Sequence, residues 1–319
     1  MLASTIMSLE EKEITLSLKR SPSQEKKWKR IAYLCLLILA ALFVGYASVS
    51  YLNYESVVAF GHEVYLQIDD KFLWMLMVGF LAQMVDGALG MGYGVISTTL
   101  LLSGGLNPAI ISGSIHTAEM FSSGASGFSH YRFGNVNKKL FKTLLIPGVL
   151  GAIAGALLLG YAGEKFSEYI RPVISIYTLA LGIKILTNAF KEKPKLQKVK
   201  RAGWLAGAGG FLDSFGGGGW GPLVTSTLIS KGRTPKYVIG SVSLTEFFVT
   251  MASAVTFFFI LGVSHWQSIL GLLIGGIIAA PIAAKLVGKL PIKKMFIGVA
   301  VIVILSSLRI IWNAADKLL

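Results

Sequence analysis

Residues 213–222 read "DSFGGGGWGP" inside a stretch of chain that is otherwise apolar. Five glycines, an acid and a proline interrupt any helix that runs into them, because glycine is conformationally loose and proline lacks an N–H donor. Residues 86–95, "DGALGMGYGV", repeat the interruption. The two segments align without a gap at an offset of 127, and 85–121 laid over 212–248 gives 13 identities in 37 positions. Among them are Asp86/Asp213, Gly90/Gly217, Gly92/Gly219, Gly94/Gly221 and Glu119/Glu246, with Tyr93 opposite Trp220. The chain is duplicated, with one helix break in each copy.

The copies belong in a bilayer. Of 319 residues, 54% are hydrophobic and 14% charged, against roughly 25% charged in soluble domains. Runs at 31–52, 109–131, 141–161, 172–190, 237–262, 266–286 and 295–312 approach or exceed the ~18–20 apolar residues that span a membrane. The net charge of +14 does not imply nucleic acid, because the Lys and Arg residues fall in short connections between apolar runs. The single Cys35 excludes an intramolecular disulfide. Run 31–52 is too long for a signal-peptide core and reads as a retained anchor after a polar tail.

Loop charge tells how the copies are related. In the first, connection 103–108 has no cation, whereas 132–142 carries Arg132, Lys138, Lys139 and Lys142. In the second the order reverses: 231–236 carries Lys231, Arg233 and Lys236, while 262–265 has none. Basic loops face the cytoplasm, so equivalent loops lie on opposite sides and the repeats have inverted topology. Residues 72–103 must then leave and return on the same side. Their length suits two half-helices better than two full spans, two short crossings being the alternative.

The expected fold is an all-α polytopic membrane protein. It has two inverted-topology repeats, each a re-entrant, broken-helix hairpin plus three transmembrane helices, preceded by one extra N-terminal transmembrane helix. The segments are a flexible cytosolic tail (1–30), the anchor with its extracytoplasmic loop (31–70), repeat 1 (71–190), a basic cytoplasmic linker (191–201) and repeat 2 (202–319). The N-terminus is expected in the cytoplasm.

Irregular backbone at membrane depth must be buried in protein or line a cavity. Each break starts a half-helix whose free N–H groups and positive dipole end point inward, which suits an anion. The substrate-binding candidates are Gly90, Gly92, Tyr93 and Gly94 in the first turn and Gly217, Gly219, Trp220 and Gly221 in the second, with His116, Ser241 and Thr245 nearby. Glu119 and Glu246 sit in mid-span at equivalent positions and, with His116, are candidates for proton coupling. Asp86 and Asp213 end the first half-helices and are expected to lock the turns through nearby N–H groups. Gly151 and Gly155, in "GAIAG", read as helix-packing glycines.

These paired segments, with the Gly105/Pro108 and Gly232/Pro235 steps after them, resemble the TauE/SafE family over roughly residues 72–315. The first copy departs from the pattern at Met91 and Val95, where the second has glycine and proline. The resemblance implies a bacterial inner-membrane carrier of small sulfur-containing anions such as sulfite or sulfoacetate. Expected partners are the anion and the lipid bilayer, with a homodimer compatible; no cofactor, metal or catalytic residue is expected. The rival within transport is a carrier of small carboxylates or an inorganic cation. The rival outside it is an intramembrane serine protease, suggested by "GASG" at 124–127, but four residues make a weak motif and leave the duplication unexplained.

Overall fold

The structure is a computed structural model that describes residues 70–89, 91–190, 201–262, 266–286 and 292–318, together with Glu55, Val58, Ala59 and His62. The chain divides into units 1–67 and 68–319, and the second is described here. The expected tail, the anchor 31–52, Gly90 and linker residues 191–200 lie outside the described residues.

The described residues form helices and no strand. They are α1 (Asp70–Leu89), α2 (Tyr93–Ser103), α3 (Pro108–Arg132), α4 (Lys138–Lys165) and α5 (Ser167–Asn188), then α6 (Ala202–Gly216). A π-helical segment, Trp220–Thr225, runs into α7 (Ser226–Ser230), followed by α8 (Pro235–Leu261), α9 (Trp266–Leu286) and α10 (Ile292–Leu318). Local signals set the ends. Asn107 accepts the Ala109 N–H at 2.8 Å ahead of Pro108 in the first turn of α3. Asn137 accepts from Lys139 and Leu140 at the start of α4, and Pro235 opens α8.

Among the described residues, four helices are long and apolar enough to cross a membrane: Lys138–Gly163, Ser167–Asn188, Pro235–Leu261 and Lys293–Asp316. The sequence also predicts a span at 109–131. The corresponding α3 has 25 residues but is more polar, and Ser112, Ser114, His116, Thr117 and Ser123 on it are buried against the rest of the protein. These five polar side chains face inward.

Helix pairs have definite directions. Gly151 of α4 meets Gly207 and Phe211 of α6, Gly155 meets Phe211, and Pro147 lies against Gly203, so α4 and α6 run parallel. Gly271 of α9 meets Met75 and Gly275 meets Leu76 and Phe80, so α9 and α1 are also parallel. In contrast, Gly113 of α3 meets Phe257 of α8 while Gly127 meets Leu244, an antiparallel crossing. The pair α5–α10 is antiparallel too: Gly182 faces Val303 and Ile304, while Thr178 and Ser307 share a hydrogen bond of 2.8 Å. A side chain at Gly151 would strike α6 backbone, as a packing glycine requires. Gly124 and Gly127 of "GASG" likewise seat α8, and Ser126 is exposed.

Candidate functional site

The second turn is built around Asp213. Helix α6 is capped by Gly217, whose φ of 67° lies in the left-handed region. The chain then doubles back so that Asp213 Oδ1 accepts the backbone N–H groups of Gly219 at 2.6 Å and Trp220 at 2.9 Å. The carboxylate thereby holds the first N–H groups of the π-helical segment, where Pro222 needs no donor. Trp220 is fully buried: its Nε1 donates to Val242 O at 3.3 Å and its ring packs against Gly148. Tyr177 of α5 closes the other side, its hydroxyl donating to Gly218 O at 3.0 Å.

The first turn repeats this plan. Gly92 has φ 118° and carries no side-chain cap for α2. The Tyr93 backbone N–H lies near the Asp86 carboxyl, in the place that the Trp220 N–H takes beside Asp213. Tyr93 is buried, with its hydroxyl 3.5 Å from Leu272 O.

The turns touch. A Cβ on Gly94 would lie 2.6 Å from Gly217 O and 2.7 Å from Gly218 Cα, and one on Gly221 would lie 2.9 Å from Met91 Cβ. Thr98 Oγ1 donates to Gly217 O at 2.6 Å and stitches α2 to the second turn. No side chain larger than hydrogen fits at the contact.

His116 of α3 reaches the same place. Its Nδ1 stands 2.7 Å from Ser112 O and its Nε2 3.2 Å from Asp213 Oδ2. A carbonyl only accepts, so Nδ1 carries the proton of that bond. The contact between Nε2 and a carboxyl then needs one further proton, on the imidazole or on Asp213. Ser112 Oγ donates to Ser214 O at 2.6 Å, and Ser214 in turn bonds Ser253. His116, Glu119 and Asp213 each offer a ligand atom within 4.8 Å of the others, so they are the described groups able to hold a cation. Glu246 and Asp86 lie within electrostatic range of Glu119.

The structure thus draws together Gly92, Tyr93, Gly94, His116, Glu119, Asp213, Gly217, Gly219, Trp220 and Gly221, with Asp86 and Glu246 within range. Ser241 and Thr245 are engaged elsewhere. The Ser241 hydroxyl bonds Tyr237 O at 2.7 Å and accepts the Asn137 N–H at 2.8 Å, and Thr245 donates to Ser241 O. Sequence reasoning missed Ser112, Tyr177, Ser214 and Ser253. Tyr177 had a legible signal, since it is a hydroxyl-bearing ring in mid-span, next to Thr178 in "SIYTLALG".

Comparisons with known proteins agree with one another. The family described as "Sulfite exporter TauE/SafE" matches residues 75–310. A curated protein of Bacillus subtilis (strain 168), "Probable membrane transporter protein YtnM", is 41% identical over 253 residues, which is 76% of this chain and 83% of that protein. No solved structure matches significantly.

Proposed function

We infer the function from one premise: the chain belongs to the TauE/SafE family of membrane transporters. Within it, we propose that this protein exports small sulfur-containing anions, sulfite or an organosulfonate such as sulfoacetate, across the bacterial inner membrane by alternating access. The observation that carries the reading is that the glycine turns of both copies meet at one place. Asp213 already holds the Gly219 and Trp220 N–H groups, so the donors assigned to the anion are the remaining N–H groups of the two helix starts, a charge-assisted bond from each contributing roughly 1.5–3 kcal/mol. The turns are packed together, so loading requires them to part.

Inverted repeats supply the two access directions, and several contacts support that architecture. Equivalent helices α3 and α8 run antiparallel, as do α5 and α10, whereas repeats related by an axis along the membrane normal would keep them parallel. Ser123 and Thr250 are equivalents at the offset of 127, and their hydroxyls stand 3.3 Å apart, as a pair straddling a two-fold axis does. The Gly94 contact with Gly217 and Gly218 recurs, shifted by the same offset, as Gly221 against Met91. Loops assigned to one side also meet: Asn107 Nδ2 donates to Gly163 O at 3.2 Å, and the Asn137 N–H to Ser241.

Four carboxyls near the turns would repel an anion unless protons or a cation offset them. The extra proton between His116 and Asp213 is one such charge. We assign coupling to Glu119, Glu246 and this pair, with the substrate anion and the protons moving together. A cation carrier is the second reading, favoured by the ligand spacing of His116, Glu119 and Asp213.

A thermal-shift screen of the purified protein separates the two. Sulfite or sulfoacetate at ~100 times its Kd should stabilise the protein by about 2.7 kcal/mol, with acetate and sodium leaving it unchanged. Stabilisation by sodium alone would replace the anion reading. In vesicles, Glu119→Gln should flatten the pH dependence of sulfite transport, and an unaltered pH profile would remove Glu119 from coupling.

A further inference from the structure

A cavity lies away from the turns. It is an open cleft of about 710 Å³ between the end of α2, the start of α5 and the last turns of α10. Arg171 and Arg309 line it, with Ser167 and Asn313 beside them. We propose that this cavity is a peripheral binding site for a small oxyanion, a vestibule through which the transported anion passes on the extracytoplasmic side. The proposal rests on the anion-transport reading above.

Arg171 is held in place, because Nη2 donates to Gly105 O and to Leu106 O at 2.7 Å, fixing the guanidinium against the α2–α3 connection. Its Nε is buried without a hydrogen-bond partner. A buried N–H with no acceptor is an unfavourable state that a bound oxygen relieves. Arg309 is exposed and forms no ion pair among the described residues, so its fork is available for a planar or tetrahedral oxyanion.

Glu168 and Asp316 line the same cavity and offset the two cations. Binding there should accordingly be weaker than at the turns, as suits a passage. All three segments that form the cavity fall on the side that the loop charges assign to the exterior. Toward the other end of α5, Lys184 Nζ donates to Thr227 Oγ1 at 3.4 Å, placing a cation beside the second half of the second hairpin as well.

The test is equilibrium binding of ³⁵S-labelled sulfite to the purified full chain in phosphatidylcholine nanodiscs, read as a two-site isotherm. Arg309→Gln, a surface change, should weaken the low-affinity site by tenfold or more and leave the tighter site unaltered. Arg171→Lys, which keeps a donor for the two carbonyls, should also weaken the low-affinity site. In vesicles, Arg309→Gln should raise KM for sulfite presented at the extracytoplasmic face at least fivefold with little change in kcat. An unaltered weak site in Arg309→Gln, with the tight site intact, overturns the vestibule and leaves the transport reading standing. Absence of the tight site from wild type refutes the transport reading instead. If Arg309→Gln loses only stabilisation by added phosphatidylglycerol, the cavity holds a lipid phosphate and the proposal fails.

Discussion

Gly94→Ala is expected to abolish sulfite transport while the long spans remain folded. The new methyl would stand 2.6 Å from Gly217 O and 2.7 Å from Gly218 Cα. Both are backbone atoms, so no rotamer change relieves the clash and the two turns must move apart. Overpacking of this kind costs about 1–3 kcal/mol, and rigid neighbours place it at the upper end. A penalty of ~3 kcal/mol lowers the population of the closed arrangement by roughly 100-fold. Transport in vesicles measures the loss, and detergent gel filtration measures folding. Gly298→Ala is the control, because nothing lies within 4 Å of a methyl there and it should behave as wild type. Wild-type transport by Gly94→Ala would show that the turns need not close.

Asp213→Ala should cause the largest loss of stability. One buried carboxylate holds the N–H groups of Gly219 and Trp220 and faces His116 Nε2. Truncation orphans both N–H groups in the interior, at roughly 1–3 kcal/mol each, and strips the imidazole of its partner. Asp213→Asn differs in an informative way. Its amide oxygen still accepts the two N–H bonds, and its NH₂ donates to a neutral Nε2 without the additional proton. The asparagine variant should therefore melt close to wild type yet transport sulfite without the wild-type pH dependence. The pair is read by melting temperature and by transport rate against pH. A melting temperature for Asp213→Ala within a degree of wild type would contradict the turn-locking role.

The duplication made much of this visible in advance. Glycine and proline interrupt helices whatever surrounds them, so the breaks near Gly92 and Gly217 could be read from composition alone, and the packing of Gly151 and Gly155 followed from spacing. Contacts between distant segments could not be read that way. Nothing local to Tyr177 says that it reaches Gly218, 41 residues away. The same holds for Ser241 and Thr245. A hydroxyl in a membrane helix serves a ligand or a nearby carbonyl equally well, and only the folded arrangement gives Ser241 to Tyr237 and Asn137. Trp220 was read from the sequence as a substrate-binding residue, whereas its indole N–H is given to Val242 O in the space left by Gly148.

The central claim is that two halves of opposite orientation bring their glycine turns together from opposite faces of the membrane. Cysteine accessibility tests it most directly. In a Cys35→Ser background, single cysteines at Ser103 and Arg233, both exposed, are treated with a membrane-impermeant thiol reagent in sealed vesicles of known orientation. Ser103→Cys should react from the extracytoplasmic side only and Arg233→Cys from the cytoplasmic side only. Reaction of both from the same side would contradict the inverted arrangement and, with it, the account of the site.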